Sequence, residues 1–491
     1  MSNRIRNNKF INGIHVLKPE ENCEVKLLQY DDDTVLFMSD KISLEITNEE
    51  LELFGKVAGP KLNKSKTAVM WLGDSKSKWL LDDLGLSWTD APTKYLGFYI
   101  SPDMDKTRTL NWENKLTKLQ RLLDNWRKRK LTIFGRITIV KTLALSQIVH
   151  ILMVDIVPKK IITRLNGLIY SFIWQTKIEK VKRIIMTKQF EKGGVNMIDL
   201  HTQISSFRLR WLGRTLGGTK GKWSKMCLYW FNRLGGLKLL LNSNFDTWNL
   251  KSICMNKLPT FYIEILEAWI KLKNNACLKY QPKVHGVQNE ILWHNKNVTW
   301  HNNTIFYDGW YEIGIVFLKD IFKNGNFIPP TEIFANLKAR KCKQNLIFDY
   351  TLLIQSIPRV WINNLAPTFN EQLQNSLEFP KIRVGMLGVK EQIRFVYDIS
   401  TKQFYKLLSL NGSDDNRCCT YWEERIDSSL QWTKIFKRNL RHCKENKLKE
   451  FNFKVMYNLL PVRKNLYKWN FITDGKCQHC DIDEDTFTCF Y

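Results

Sequence analysis

No uninterrupted apolar run in this 491-residue chain approaches the roughly 18–20 residues of a membrane span. The longest candidate, residues 143–157, is broken by Gln147, His150 and Asp155. No secretory signal is visible at Met1, whose neighbourhood is polar and basic. The 11 cysteines are irregularly spaced in a long chain and do not resemble a secreted disulfide framework, so reduced thiols are expected. Internal repeats and low-complexity segments are absent. These absences predict an intracellular protein, nuclear or cytoplasmic, that crosses no membrane.

Negative charge is also in short supply. Lys and Arg number 75 against 48 acidic residues, a net charge of +27. A surface of that sign attracts phosphate and releases counterions on binding, which points to a nucleic-acid partner. Apolar material is ordinary at 44%, and 18 Trp, 27 Phe and 16 Tyr suffice for several cores. Length suggests two or three domains.

The most informative stretch is Tyr30-Asp31-Asp32-Asp33, an acidic turn between two apolar strands. The strand before it reads Val25-Lys26-Leu27-Leu28-Gln29, and the strand after it Thr34-Val35-Leu36-Phe37-Met38. Asp is a common turn residue, so a solvated turn is one reading. Clustered carboxylates, however, repel one another unless a cation sits among them. Oxygen ligands suit magnesium, and nucleotidyl transfer needs metals clamped by carboxylates. A helix follows, with a capping-box pattern from Thr47 to Glu50 and a stop at Gly59-Pro60. Next come a short apolar run, residues 68–72, and a third apolar piece, residues 94–100. Hairpin, helix, strand and strand pair describe part of an α+β domain.

These residues carry a family resemblance. Residues 29–37 resemble the catalytic hairpin of LINE-type (non-LTR) retrotransposon reverse transcriptases. Residues 59–67 resemble the motif that follows it, in which a Gly leads to Asn63 and Lys66-Thr67. Residues 94–100 resemble the primer-gripping hairpin at the end of the palm. Order and spacing agree for all three. The likeness continues through Glu191-Lys192-Gly193-Gly194-Val195 and Trp293-His294-Asn295 to the C-terminus.

The resemblance implies RNA-templated DNA synthesis, with an RNA template and a DNA primer as partners. Asp32 and Asp33 match the acidic pair, with Mg2+ at Asp32. Lys66 matches a lysine near the departing pyrophosphate, where a cation offsets negative charge. Tyr95, Leu96 and Gly97 match the primer grip. Two departures stand out. The family residue between Tyr30 and Asp32 is small, typically Ala, and here it is Asp31. The upstream strand whose carboxylate completes a two-metal clamp finds no match in the residues before the hairpin. A truncated polymerase, inactive by itself, is therefore expected. The alternative is a non-catalytic RNA- or DNA-binding retrotransposon remnant.

The expected architecture is α+β: a partial palm (1–105), a helical thumb (106–175), a helical connector (176–390) and a helical C-terminal region (391–491). In the thumb, Leu116, Leu119, Leu122, Leu123 and Trp126 form one face, while Lys118, Arg121 and Lys128 fall toward the other and would follow the template–primer duplex. Arg127-Lys128-Arg129-Lys130 can equally be read as a nuclear-targeting cluster. A second helix is expected through Ile133, Ile137, Val140 and Leu143. His285, His294 and His301 are unevenly spaced and read as surface or core residues, not ligands. Near the end, Phe451, Val455, Leu459 and Leu460 suggest an amphipathic helix closed by Pro461. The tail holds Cys477-Gln-His-Cys480, a zinc-type spacing. The family's tail runs from such a pair through an acidic stretch, matched by Glu484-Asp485-Thr486, to a His and a final Cys. Cys489 stands in the place of that His, giving Cys477, Cys480 and Cys489 as Zn2+ ligands. His479 or Cys443 remains open as the fourth.

Overall fold

The computed structural model describes residues 1–17, 23–31, 33–59, 62–73, 81–218, 221–254, 257–274, 286–323, 325–339, 346–365, 377–386, 389–409, 417–478 and 481–486. The fold is α+β and predominantly helical, and among the described residues every sheet is a two-stranded antiparallel pair. The chain forms two compact units, each gathered from separate stretches. Residues 1–115, 214–262 and 284–379 make the first; residues 116–213, 263–283 and 380–491 make the second.

The first unit begins with helix α1 (Ser2–Asn7) and the short pair β1 (Ile14–His15) and β2 (Glu24–Val25). Strands β3 (Leu27–Tyr30) and β4 (Asp33–Leu36) then form the acidic hairpin. Side chains alternate across a strand, so Leu27 turns inward. It joins Ile5 and Ile11 in a small core, against which Leu36, Met38, Ile46 and Leu51 pack. Helix α2 (Lys41–Ala58) supplies the last two of these.

The start of α2 departs from the expected Thr47. Asp40 is the cap: its carboxylate accepts from the Ser43 amide at 2.7 Å and from the Ser43 hydroxyl at 3.0 Å. Thr47 lies buried two turns inside the helix, its hydroxyl donating to the Ser43 carbonyl at 2.7 Å. The Thr47–Glu50 spacing imitates a cap, but the helix continues upstream of it. Strands β5 (Thr93–Tyr95) and β6 (Phe98–Ile100) form the next hairpin and lead into helix α3 (Met104–Arg127).

In the second unit, α4 (Ile133–Ile139) runs through a π-helical turn, Val140–Ala144, into α5 (Ser146–Val154). The Leu145 amide reaches back to Val140, five residues away. That wider turn moves the apolar stripe by one position: Ala144 is buried and Leu143 is exposed, against the expectation from simple periodicity. Among the described residues no single helix is long and apolar enough to cross a membrane, and this pair bends by 51° at the break. Helices α6 (Lys159–Trp174), α7 (Arg183–Thr187) and α8 (Leu200–Leu216) follow. From α8, the fully buried Arg208 donates to the carbonyls of Leu152, Met153 and Asp155 at 3.2, 3.0 and 2.5 Å, closing the end of α5. Glu264 balances its charge at 2.7 Å. The Gly193-Gly194 turn is demanded by close approach, since a Cβ on Gly194 would meet the Lys188 carbonyl oxygen at 2.0 Å. Late in the chain, the helix Asn446–Met456 buries Phe453 and Met456 and leaves Phe451 exposed. Its inward face is thus rotated from the expected one, and it ends before Pro461.

The rest of the first unit holds α9 (Lys222–Asn232), α10 (Gly236–Asn242), α11 (Thr247–Cys254) and the hairpin of β7 (Thr299–Trp300) and β8 (Asn303–Thr304). Trp293-His294-Asn295 forms the centre of this core. The Trp293 indole donates to Ile315 at 2.6 Å and the Asn295 amide to Ile291 at 2.7 Å. The His294 ring stacks on Phe306, with centroids 4.6 Å apart. Expected as a surface or core residue, His294 is core; His301 is exposed, and His285 lies outside the described residues.

Candidate nucleic-acid interface

The acidic hairpin pairs Leu27 with Leu36, Leu28 with Val35, Gln29 with Thr34 and Tyr30 with Asp33. Asp31 follows Tyr30 with φ 53°, in the left-handed region. Asp enters that region more readily than most non-glycine residues, because its short polar side chain bonds locally. Asp31, unusual by the family pattern, thus suits the backbone it occupies. Asp33 opens β4, exposed and across from Tyr30, which is itself 67% exposed. Asp32 lies outside the described residues. Carboxylate oxygens at a solvated tip are the donor chemistry a hard divalent cation takes. Among the described residues, no group of three or more His, Cys, Asp or Glu converges to complete a metal shell.

The next motif has a clear local cause. Asn63 caps a single 3-10 turn, Lys64–Lys66, its side-chain oxygen accepting from the Lys66 amide at 3.2 Å and the Ser65 hydroxyl at 2.7 Å. The Thr67 hydroxyl donates to the Asn63 carbonyl at 2.9 Å. Asn63 therefore shapes the turn and leaves the Lys66 side chain exposed. No hydrogen bond or ion pair joins Lys66 to Asp33.

The second hairpin pairs Thr93 with Ile100, Lys94 with Tyr99 and Tyr95 with Phe98, which leaves Leu96 and Gly97 as the turn. Their φ values are 46° and 83°. Positive φ at both central positions is what a type I′ hairpin requires. Gly97 takes it without strain, whereas Leu96, exposed at the tip, does not. Asn111 of α3 clamps this hairpin at Tyr99, accepting from its amide at 2.7 Å and donating to its carbonyl at 2.9 Å. Sequence reading missed this positioning role, because one Asn within a helix leaves no periodic signal.

Further along α3, Leu116, Leu119 and Leu123 are buried, and Leu122 and Trp126 are half-buried. At 100° per residue Lys118 and Arg121 fall on the opposite side, and both are exposed, as is Lys128 just past the helix end. The guanidinium of Arg129 lies 4.4 Å from the centre of the Trp126 ring.

In the tail, the Cys477 amide donates to Ile482 at 2.7 Å and the Asp481 amide to Cys477 at 3.1 Å, bending the chain around the half-buried Cys477. Asp481 closes the bend with φ 56°. Cys480, Cys489 and His479 lie outside the described residues. Asp485 and Thr486 are buried: Asp485 pairs with Arg425 at 2.9 Å, and the Thr486 hydroxyl donates to the Asn458 side chain. The Glu484 carbonyl accepts from the Lys464 amide at 3.0 Å. The acidic stretch that follows the Cys pair is therefore a latch onto neighbouring helices.

No family model matches the chain. It is similar to the Transposon TX1 uncharacterized 149 kDa protein of Xenopus laevis, with 24% identity over 263 residues, which make up 52% of this chain and 20% of that protein. The chain thus matches about a fifth of its relative's length. This similarity to a transposon protein supports a retrotransposon-derived chain, in keeping with the resemblance its motifs carry.

Proposed function

We propose that this chain is a portion of a LINE-type reverse transcriptase that holds an RNA template and a DNA primer, with divalent-metal ligation at Asp32 and Asp33. The observation that carries the reading is the pair of short-turned hairpins, acidic at the first tip and Leu96-Gly97 at the second, in the order that the family's motifs take. Bound Mg2+ would offset the charge of nucleotide phosphates and of the primer oxygen. The side chains of Asp32 and Asp33 supply oxygen donors to hold it, and Lys66 adds a cation for the departing pyrophosphate. Tyr95, Leu96 and Gly97 contact the primer, and Lys118, Arg121 and Lys128 meet phosphates of the duplex. Cys477, Cys480 and Cys489 offer the thiolate chemistry of a zinc-braced tail.

The β3–β4 hairpin forms a two-stranded sheet of its own among the described residues. A two-metal clamp draws carboxylates from an adjoining strand as well. The reading is therefore that the chain grips template and primer and that primer extension depends on a further carboxylate beside Asp32 and Asp33. RNA-templated primer extension with Mg2+, run beside Asp32→Asn and a binding assay, tests this reading. The expected outcome is no extension with salt-sensitive template–primer binding retained. Extension that disappears in Asp32→Asn would contradict the need for a further carboxylate. Absence of both extension and binding would overturn the reading as a whole.

A further inference from the structure

Helix α11 buries Asn249, Leu250, Ile253 and Cys254. At 100° per residue, Trp248 and Lys251 fall on the side away from them. The Trp248 side chain is 74% exposed, an unusual position for an indole that the core does not need. Its backbone is well anchored: Asp246 accepts from the amides of Trp248 and Asn249, both at 2.9 Å. Helix α11 packs against β8, so the β7–β8 hairpin is its neighbour. Trp300 on β7 is 37% exposed, and its ring meets that of His301 at 4.9 Å. His301 and Asn302 make the hairpin turn, with φ 47° and 63°. The exposed Lys296 is tied to the same region, its amide donating to Asn244 at 2.8 Å.

Trp248 and Lys251 share the outward side of α11, and Trp300, His301 and the exposed Lys296 belong to the neighbouring hairpin region, so exposed rings and cations occur on adjoining elements. Unpaired bases have exposed faces that stack on aromatic rings without regard to sequence, and their phosphates meet the lysines. Bases in a duplex are already stacked on each other and cannot use such a surface. We propose that Trp248, Trp300 and His301 form a stacking platform for single-stranded nucleic acid, with Lys251 and Lys296 as its phosphate contacts. The inference deepens the nucleic-acid reading above and rests on it. No sequence pattern separates these tryptophans from those of the core.

The test uses the full chain and a fluorescein-labelled oligouridylate, read by anisotropy over a range of salt, with a duplex of equal length alongside. Trp248→Ala is expected to weaken single-strand binding on the order of 10-fold, with little effect on the duplex and no change in the salt slope. Trp248→Phe keeps a ring and is expected to retain most of the affinity. Lys251→Ala is expected to lower the salt slope instead. Single-strand binding unchanged in Trp248→Ala, or an equal loss on duplex, overturns the platform and leaves the broader reading standing. A wild-type chain that binds neither ligand overturns both.

Discussion

Burial at His294 sets a pH dependence that can be worked out from one side chain. Its Nε2 faces the Leu234 carbonyl at 3.0 Å, which places the proton on Nε2 and leaves Nδ1 buried without a partner among the described residues. Burial pushes its pKa down to about 4 from the ordinary 6.5, helped by Lys257 and opposed by the Leu234 hydrogen bond. The folded chain therefore keeps His294 neutral while the unfolded chain takes up a proton below pH 6.5. Stability is full above that value and falls as pH drops toward 4, by up to about 1.4 kcal/mol per pH unit. Urea midpoints for the wild type should accordingly be lower at pH 5 than at pH 7. His294→Gln, which keeps an amide donor for Leu234, should flatten that difference; an equal slope in both proteins would show that other groups control it. His294 was legible only as surface or core, since histidine spacing says nothing of burial. Thr47 misled for a related reason. A cap is defined by where the helix stops upstream, and a Thr-to-Glu spacing exists in many helix interiors.

At the scale of elements, the β5–β6 turn holds the clearest strain. Leucine at φ 46° carries a penalty of roughly 1–2 kcal/mol relative to residues that accept the left-handed region. Leu96→Asn should stabilise the chain by about 1 kcal/mol, seen as a higher thermal midpoint. The same change should weaken template–primer binding if the strained residue is kept for contact with the primer. A midpoint that stays level or falls would show that Leu96 gains compensating packing. Both hairpins and α3 were readable because alternation and 3.6-residue periodicity are local patterns. The stripe through Ile133 and Val140 failed only at Leu143, where the π turn adds a residue that no periodic reading anticipates. Much of the connector stayed obscure for another reason: the strands Thr299–Trp300, Asn303–Thr304, Phe322–Lys323 and Asn326–Phe327 are two residues long, too short to show an alternation.

For the whole molecule, the excess of 27 positive charges is the property that every functional reading shares. It was fully legible, since charge needs no fold to be counted. The assembly of each unit from three separate stretches was not. Lys222 reaches the Glu24 carbonyl across nearly two hundred residues of sequence, and such a contact leaves no trace in local composition. The central claim, that this chain grips template and primer, is tested most directly by the salt dependence of its affinity for an RNA–DNA template–primer duplex. The account predicts a log K that falls linearly with log salt, and a slope smaller by roughly 2 in the Lys118→Ala, Arg121→Ala double variant, about one unit per lost phosphate contact. Binding that ignores salt, or a slope left unchanged by the double variant, would contradict it.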